Sequence, residues 1–182
     1  MTLPMPSTAV AARIVPHGSA TRLRLAAADD ALFIRELFHA SRADVFLAAG
    51  LPQATLDMLL EQQFQAQARG YAAQFPDAIS MIVLEADEPV GRLILLTGDR
   101  CWRIVDIALL PVMRGRGIGT DVIDAVLRAA TAEGAREVTL SVLFDNIGAR
   151  RLYDRLGFSQ TGEGLHIPMV KPLQQEPRTA SV

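Results

Sequence analysis

One cysteine, Cys101, stands among 182 residues, so no intrachain disulfide framework can staple this chain, and its thiol content is compatible with a reducing, cytoplasmic setting. No apolar run reaches 18 residues, so no membrane-spanning helix is expected. The Val10-Ala11-Ala12 stretch is too short for a signal-peptide core, and no positive charge precedes it. A net charge of −2 provides no basic field for nucleic acid. The three histidines, His17, His39 and His166, are scattered without metal-ligand spacing, so no metal is expected. Internal repeats are absent as well.

What is present is a globular balance. Half of the residues are apolar and 21% are charged, enough for the core of one domain. The prolines, serine and small residues of positions 1–20 read as a flexible N-terminal tail, and 174–182 as a flexible C-terminal one, leaving 21–173 as the domain.

Within that span the pattern alternates between strand and helix signals. Leu23-Arg24-Leu25 reads as a short strand, and Asp29 or Asp30 as the cap of a helix with Leu32, Phe33, Ile34, Leu37 and Phe38 on its apolar side. Pro52 opens a second helix through Leu56, Leu59, Leu60 and Phe64, continuing or restarting toward Phe75. Ile79 to Glu85 and Val90 to Leu96 form a hairpin around Ala86-Asp87-Glu88-Pro89, and Trp102 to Leu109 extends the meander. A helix from Ile118 to about Glu133, a strand from Glu137 to Leu143, a helix from Asn146 to Leu156 and a strand from Leu165 to Val170 complete the order. Such an order fits an α/β or α+β sandwich, one mixed sheet with helices on both faces.

The most informative stretch is Pro111-Val112-Met113-Arg114-Gly115-Arg116-Gly117-Ile118-Gly119-Thr120, set between an apolar strand and an amphipathic helix. Its glycines allow positive φ and close approach of the backbone to a ligand. The new helix leaves its first amides unpaired and carries partial positive charge there, so bare N–H groups beside two arginines make a cradle for an anion such as a diphosphate. The spacing selects among phosphorylated cofactors. Glycines at 115, 117 and 119 do not make the Gly-x-Gly-x-x-Gly dinucleotide fingerprint, and no lysine is present for a P-loop. The plainer reading is a strand-to-helix turn with glycine used for packing and arginine for solubility.

Arg114-x-x-Gly117-x-Gly119 resembles the Arg/Gln-x-x-Gly-x-Gly/Ala signature of the GNAT superfamily of N-acetyltransferases, and Asn146 through Phe158 is similar to that family's later Asn-x-x-Ala-x-x-x-Tyr-x-x-x-Gly-Phe motif. Both occur in family order. The resemblance implies the acetyltransferase fold: a mixed central sheet of about six to seven strands, splayed between the strand ending near Leu110 and the one beginning near Glu137. It implies acetyl-coenzyme A as co-substrate in that wedge, with Arg114, Gly115, Arg116, Gly117, Ile118, Gly119 and Thr120 at its pyrophosphate. Ile107, Ala108 and Leu109 would pair with the pantetheine arm as an added strand would.

Asn146 fits a helix cap and, by resemblance, a contact to the cofactor arm; Arg150 fits either the cofactor's phosphates or a solvated helix face. By the same resemblance Tyr153, at the tyrosine position of the later motif, is the candidate general acid; a phenol is protonated at neutral pH, although this ring also lies on an apolar helix stripe. An acceptor amine with a pKa near 10.4 is neutral in only about one molecule in 2,500 at pH 7, so a base or water relay is expected. Asp106, on the strand entering the loop, is the leading candidate base, with an ion pair as its plainer role; Glu85 is the other. By the same resemblance the early helices and their loop roof the acceptor, where Arg42, Asp44 and Tyr71 are candidates to read it.

The implied activity is direct transfer of an acetyl group to a primary amine of a small molecule or peptide in a ternary complex. A different acyl-coenzyme A donor, or a binding domain of the same fold acting as a sensor or scaffold, remains open at this stage, as does a homodimer. The charge balance and the lack of a long apolar run give no reason to expect a nucleic-acid or membrane partner.

Overall fold

The computed structural model describes residues 7–18, 20–47 and 52–174. Among these residues seven strands form one sheet: β1 (Thr21–Leu25), β2 (Ile79–Glu85), β3 (Glu88–Leu96), β4 (Cys101–Leu109), β5 (Glu137–Leu143), β6 (Ser159–Gln160) and β7 (His166–Pro172). Their spatial order is β1-β2-β3-β4-β5-β7-β6, and every neighbouring pair is antiparallel except β4 with β5. The mixed sheet expected from the sequence is therefore present, with a short β6 that the pattern did not announce.

Among the described residues five α-helices accompany it: α1 (Ser7–Arg13), α2 (Ala31–Leu47), α3 (Gln53–Gln74), α4 (Ile118–Ala132) and α5 (Ile147–Arg155). Among the described residues no helix is long and apolar enough to cross a membrane. Helix α3 runs unbroken from Pro52, so the two alternatives for its C-terminal half resolve into one helix. Helix α4 buries a full apolar stripe that includes Val122, Ile123, Val126 and Ala130. That stripe packs on Leu93, Leu95, Trp102, Ile104, Val138 and Leu140 of the sheet, together with Tyr153 and Phe158. Removing this much apolar surface from water is the main force holding the sheet to the helix.

The opposite sheet face carries Arg92, Ile94 and Arg103, which alternate with those core residues, as strand geometry requires. Helices α2 and α3 pair with each other around Phe38, Leu56, Leu60 and Phe64, and Phe75 at the end of α3 sits against Arg103.

The tail expected over positions 1–20 is corrected in part. Val10, Ala11 and Ile14 belong to the main core, because α1 is apolar on one side, and the Asp121 carboxylate accepts from the His17 and Gly18 amides at 2.6 and 2.8 Å. At the other end Leu173 still donates its amide to the Arg136 carbonyl. Positions 1–6 and 175–182 of the expected tails lie outside the described residues. The β2–β3 hairpin turns on two residues rather than four, Ala86 and Asp87, both at positive φ. That is the handedness that matches a twisted hairpin.

Candidate active site

The parallel pairing of β4 and β5 covers only Cys101 to Ile104 against Glu137 to Leu140. Beyond it β4 stays with β3 as far as Leu109, and β5 stays with β7 as far as Leu143. The two strands therefore part, and the free edge of β4 from Val105 to Leu109 lines a cleft of about 1250 Å³. Both walls come from elements already placed: α2 and α3 on one side, the glycine loop and α5 on the other.

A bulge controls which side chains enter the cleft. Ile94 opposes Asp106 and Leu95 opposes Ile104, so Val105 is an extra residue in β4. Simple alternation from Trp102 and Ile104 would turn Asp106 into the core; one inserted residue reverses the faces beyond it. Asp106 thus shares a face with Arg92, while Ile107 and Leu109 pack on the core. The β3 strand supports this stretch closely. A Cβ on Gly91 would come within 2.5 Å of the Ala108 carbonyl oxygen and of a Leu109 methyl, so only glycine fits there.

The loop entering α4 has the geometry of an anion cradle. Gly115 and Gly117 have φ of +74° and +87°, the left-handed region that glycine alone enters readily. The first α4 amide with a partner nearby is that of Asp121, bonded to the Gly117 carbonyl at 3.0 Å. Those of Ile118, Gly119 and Thr120 have none among the described residues. Cβ atoms built on Gly115 or Gly117 would meet nothing within 4 Å, so the space above these amides is open. Asp121, the one acid in this turn, is drawn away to the His17 and Gly18 amides. A phosphorylated group fits these donors in charge and in access.

Arg114, Gly115, Gly117, Gly119 and Thr120 line the cleft, and Arg114 donates from Nε to the Leu109 carbonyl at 3.3 Å. Arg116 is exposed and not part of the wall. Ile118 buries its side chain in the core and offers a ligand its amide alone, the group the cradle reading needs.

On α5, the Asn146 side chain accepts from the Ala149 amide at 3.1 Å, the cap role, while also lining the cleft. Arg150 stands outside the wall and donates to the Phe144 carbonyl at 3.1 Å. Tyr153 packs its ring on Phe158 with centroids 5.8 Å apart, yet it lines the cleft, and its hydroxyl bonds to no described residue. Its pKa is pushed up to about 12, first by burial and then by the negative charge of Asp106. Tyr71, from α3, has its pKa raised to about 12 by the same two causes in the same order. The negative charge of Asp106 thus acts on both phenols.

Of the acceptor candidates, Arg42 and Tyr71 line the cleft. Asp44 lies in α2, and its side chain is outside the described residues. Glu85 is removed from the candidates for the base, since it sits at the hairpin end of β2, away from the wall, accepting from the Thr21 hydroxyl at 2.7 Å.

Two wall residues escaped the sequence reading. Arg92 donates to Asp106 at 2.9 Å, and Arg103 donates to the Ser141 hydroxyl at 3.0 Å. Their signal was a charged residue in the middle of an otherwise buried strand.

A mixed sheet opened between its two parallel strands, with an amide cradle at the mouth of the opening, defines the acetyltransferase class of fold. Residues 48–158 match the Acetyltransferase (GNAT) family, and the chain belongs to that family. It is 36% identical over 73 residues to N-alpha-acetyltransferase MAK3 of Arabidopsis thaliana, covering 38% of each chain. To N-alpha-acetyltransferase 30 of Schizosaccharomyces pombe it is 32% identical over 96 residues, half of this chain and 63% of that one. The chain therefore matches well under the full length of both relatives. Among solved structures, the PaiA N-acetyltransferase of Thermoplasma acidophilum, in complex with coenzyme A, superposes with a TM-score of 0.66 at 14% identity. That likeness covers 84% of this chain and 99% of the other, and it shows the fold.

Proposed function

We propose that this protein is an acetyl-coenzyme A-dependent N-acetyltransferase that acts on a primary amine of a small molecule or a peptide. The observation that carries the reading is the divergence of β4 from β5 after Ile104 and Leu140, directly beside unpaired amides at the start of α4. The open β4 edge offers Ile107 to Leu109 as strand partners for an extended arm, and Ile118 to Thr120 offer amides to its diphosphate. Family membership supports the same donor, and the two N-alpha-acetyltransferases support an amine acceptor.

The bound thioester supplies the acyl carbon; the chain supplies position and protons. Holding both reactants in line is worth roughly 7–11 kcal/mol of barrier. Amide donors along β4 polarise the carbonyl. The amine nitrogen forms the new bond to carbon, the carbon–sulfur bond breaks, and the departing sulfur takes its proton from the Tyr153 hydroxyl. Asp106, through its carboxylate or a water, takes the proton that the amine gives up.

Release of free thiol from acetyl-coenzyme A, measured against amino acids, polyamines, aminoglycosides and peptides with product mass, tests this. Turnover above hydrolysis, with the mass of one acetyl group added to the amine, is the expected result. Thermal stabilisation by acetyl-coenzyme A with no turnover would mark a sensor instead.

A further inference from the structure

The acceptor side of the cleft holds more positive charge than its neighbours neutralise. Arg42, Arg92 and Arg103 all line it, and Asp106 is the sole carboxylate among the described lining residues. Arg92 takes that carboxylate. Arg42 and Arg103 have no carboxylate within ion-pair distance among the described residues. Arg42 lies over the Phe38 ring, 4.3 Å from its centroid, and Arg103 over Phe75 at 5.6 Å. Aromatic rings hold a guanidinium by its plane and leave its N–H edges free.

Arg103 is the more telling of the two. Its Nη2 is bonded to Ser141, while its Nε is buried without a partner among the described residues. An enclosed cation with unsatisfied donors and no counter-ion is costly unless a ligand supplies the charge. The chain as a whole is acidic, at −2, so this excess belongs to the cleft and not to a general basic surface. The diphosphate does not account for it. The cradle lies at the loop end of β4, whereas Arg103 lies in the stretch still paired with β5, and Ser141 is the first β5 residue beyond that pairing.

We infer that the acceptor amine carries an anionic oxygen group, a carboxylate or a phosphoryl group, which Arg103 and Arg42 bind. This rests on the acetyl-transfer reading above. Arg103 stands four positions before Ile107, at most about 13 Å of strand at about 3.3 Å per residue, and less once the Val105 bulge and the reach of the arginine side chain are counted. The anion therefore lies several bonds from the reacting nitrogen. Polyamines and aminoglycosides, which bring only positive charge, fit this wall poorly.

Matched acceptors that differ only in the anion test the inference: aminopentanoate against pentylamine, Ala-Glu against Ala-Gln dipeptide amides, and aminopropylphosphonate against propylamine. The anionic members should exceed their neutral partners in kcat/KM by about tenfold or more, since a site with unpaired donors rejects the analogue that lacks the acceptor atoms. Arg103→Gln should bring that ratio down by about tenfold, through KM, with Arg103→Lys intermediate. The carboxylate and phosphonate arms separate the two sources of the anion.

Calorimetry of the same pairs on protein saturated with coenzyme A reads binding without turnover. Anion-selective binding with no acetyl transfer would sink the transfer reading and leave Arg103 and Arg42 as an anion site without an acceptor. Transfer to neutral and anionic partners at equal efficiency would overturn the inference and keep the enzyme. If Arg103→Gln loses its thermal transition, the wild-type pair ratios and Arg42→Gln decide alone.

Discussion

Arg92 donates from Nη2 to an Asp106 carboxylate oxygen at 2.9 Å across the β3–β4 pair, and the extra residue Val105 is what turns Asp106 toward it. The arginine fixes the carboxylate at the cleft wall while leaving the second oxygen for a water or an amine. Asp106→Asn keeps the shape and removes the charge. It should lower kcat by about 10²-fold, at the lower end of what a positioned base contributes, with acetyl-coenzyme A affinity within about twofold of wild type. Steady-state kinetics with calorimetry for the cofactor check both halves; an unchanged kcat would leave Asp106 as a structural ion pair only.

Tyr153 gives a prediction with a sign fixed by its surroundings. Burial and the nearby Asp106 charge both disfavour the phenolate and hold the pKa at about 12. The proton-bearing form therefore persists across the assayable range, and the phenol should produce no falling limb in log kcat up to pH 10. Tyr153→Phe should reduce kcat by about 10²-fold with little change in cofactor affinity. Full activity in that variant would show that water protonates the leaving sulfur.

Gly117 separates backbone strain from charge. Its φ of +87° penalises any side chain, but a Cβ there meets nothing within 4 Å. Gly117→Ala should cost about 1 kcal/mol of stability from conformation alone and weaken the cofactor modestly. Gly117→Asp adds a carboxylate beside the amides of Ile118 to Thr120, where it competes with the diphosphate, and should abolish cofactor binding. Equal affinities for the two variants in titration calorimetry would refute the cradle.

Much of this site was legible in the sequence, because turns and caps are local. The glycine loop, the Asn146 cap and the αL position of Gly157 each depend on residues a few positions apart. β5 follows the predicted Glu137 to Leu143 range, since its apolar alternation is strong. What was not legible depends on contacts between distant segments. The Val105 bulge is a property of the β3–β4 register. Helix α1 draws its order from the α4 and sheet core, so its composition alone resembled a tail. Arg92 and Arg103 gained their meaning when α2 and α3 closed over the face that carries them. Glu85 lost its candidacy for the converse reason, as the hairpin carries it to the far end of β2.

Asp30 ties the start of α2 to β1 and sets an acid limit on the fold. Its two oxygens accept from Arg24 at 2.6 and 2.7 Å, and Oδ2 also accepts from the Ala27 amide at 2.7 Å. The sequence placed Asp29 or Asp30 as a forward cap; instead the carboxylate reaches back to the residue before the short turn Ala28–Asp30. The Arg24 hydrogen bonds, and then the Ala27 amide, lower its pKa from 3.8 to about 2. A group whose folded pKa is depressed stabilises the fold above its unfolded value and loses that contribution as pH falls through the folded one. The wild type should therefore shed this share of its stability between about pH 4 and 2. Asp30→Asn should lower the melting temperature at pH 7 by about 3–10 °C, given about 1.5–3 kcal/mol for hydrogen bonds to a charged group. Thermal melts across that range should show the gap between the two proteins closing as the solution approaches pH 2, and a gap that persists undiminished would remove the ionised carboxylate from the explanation.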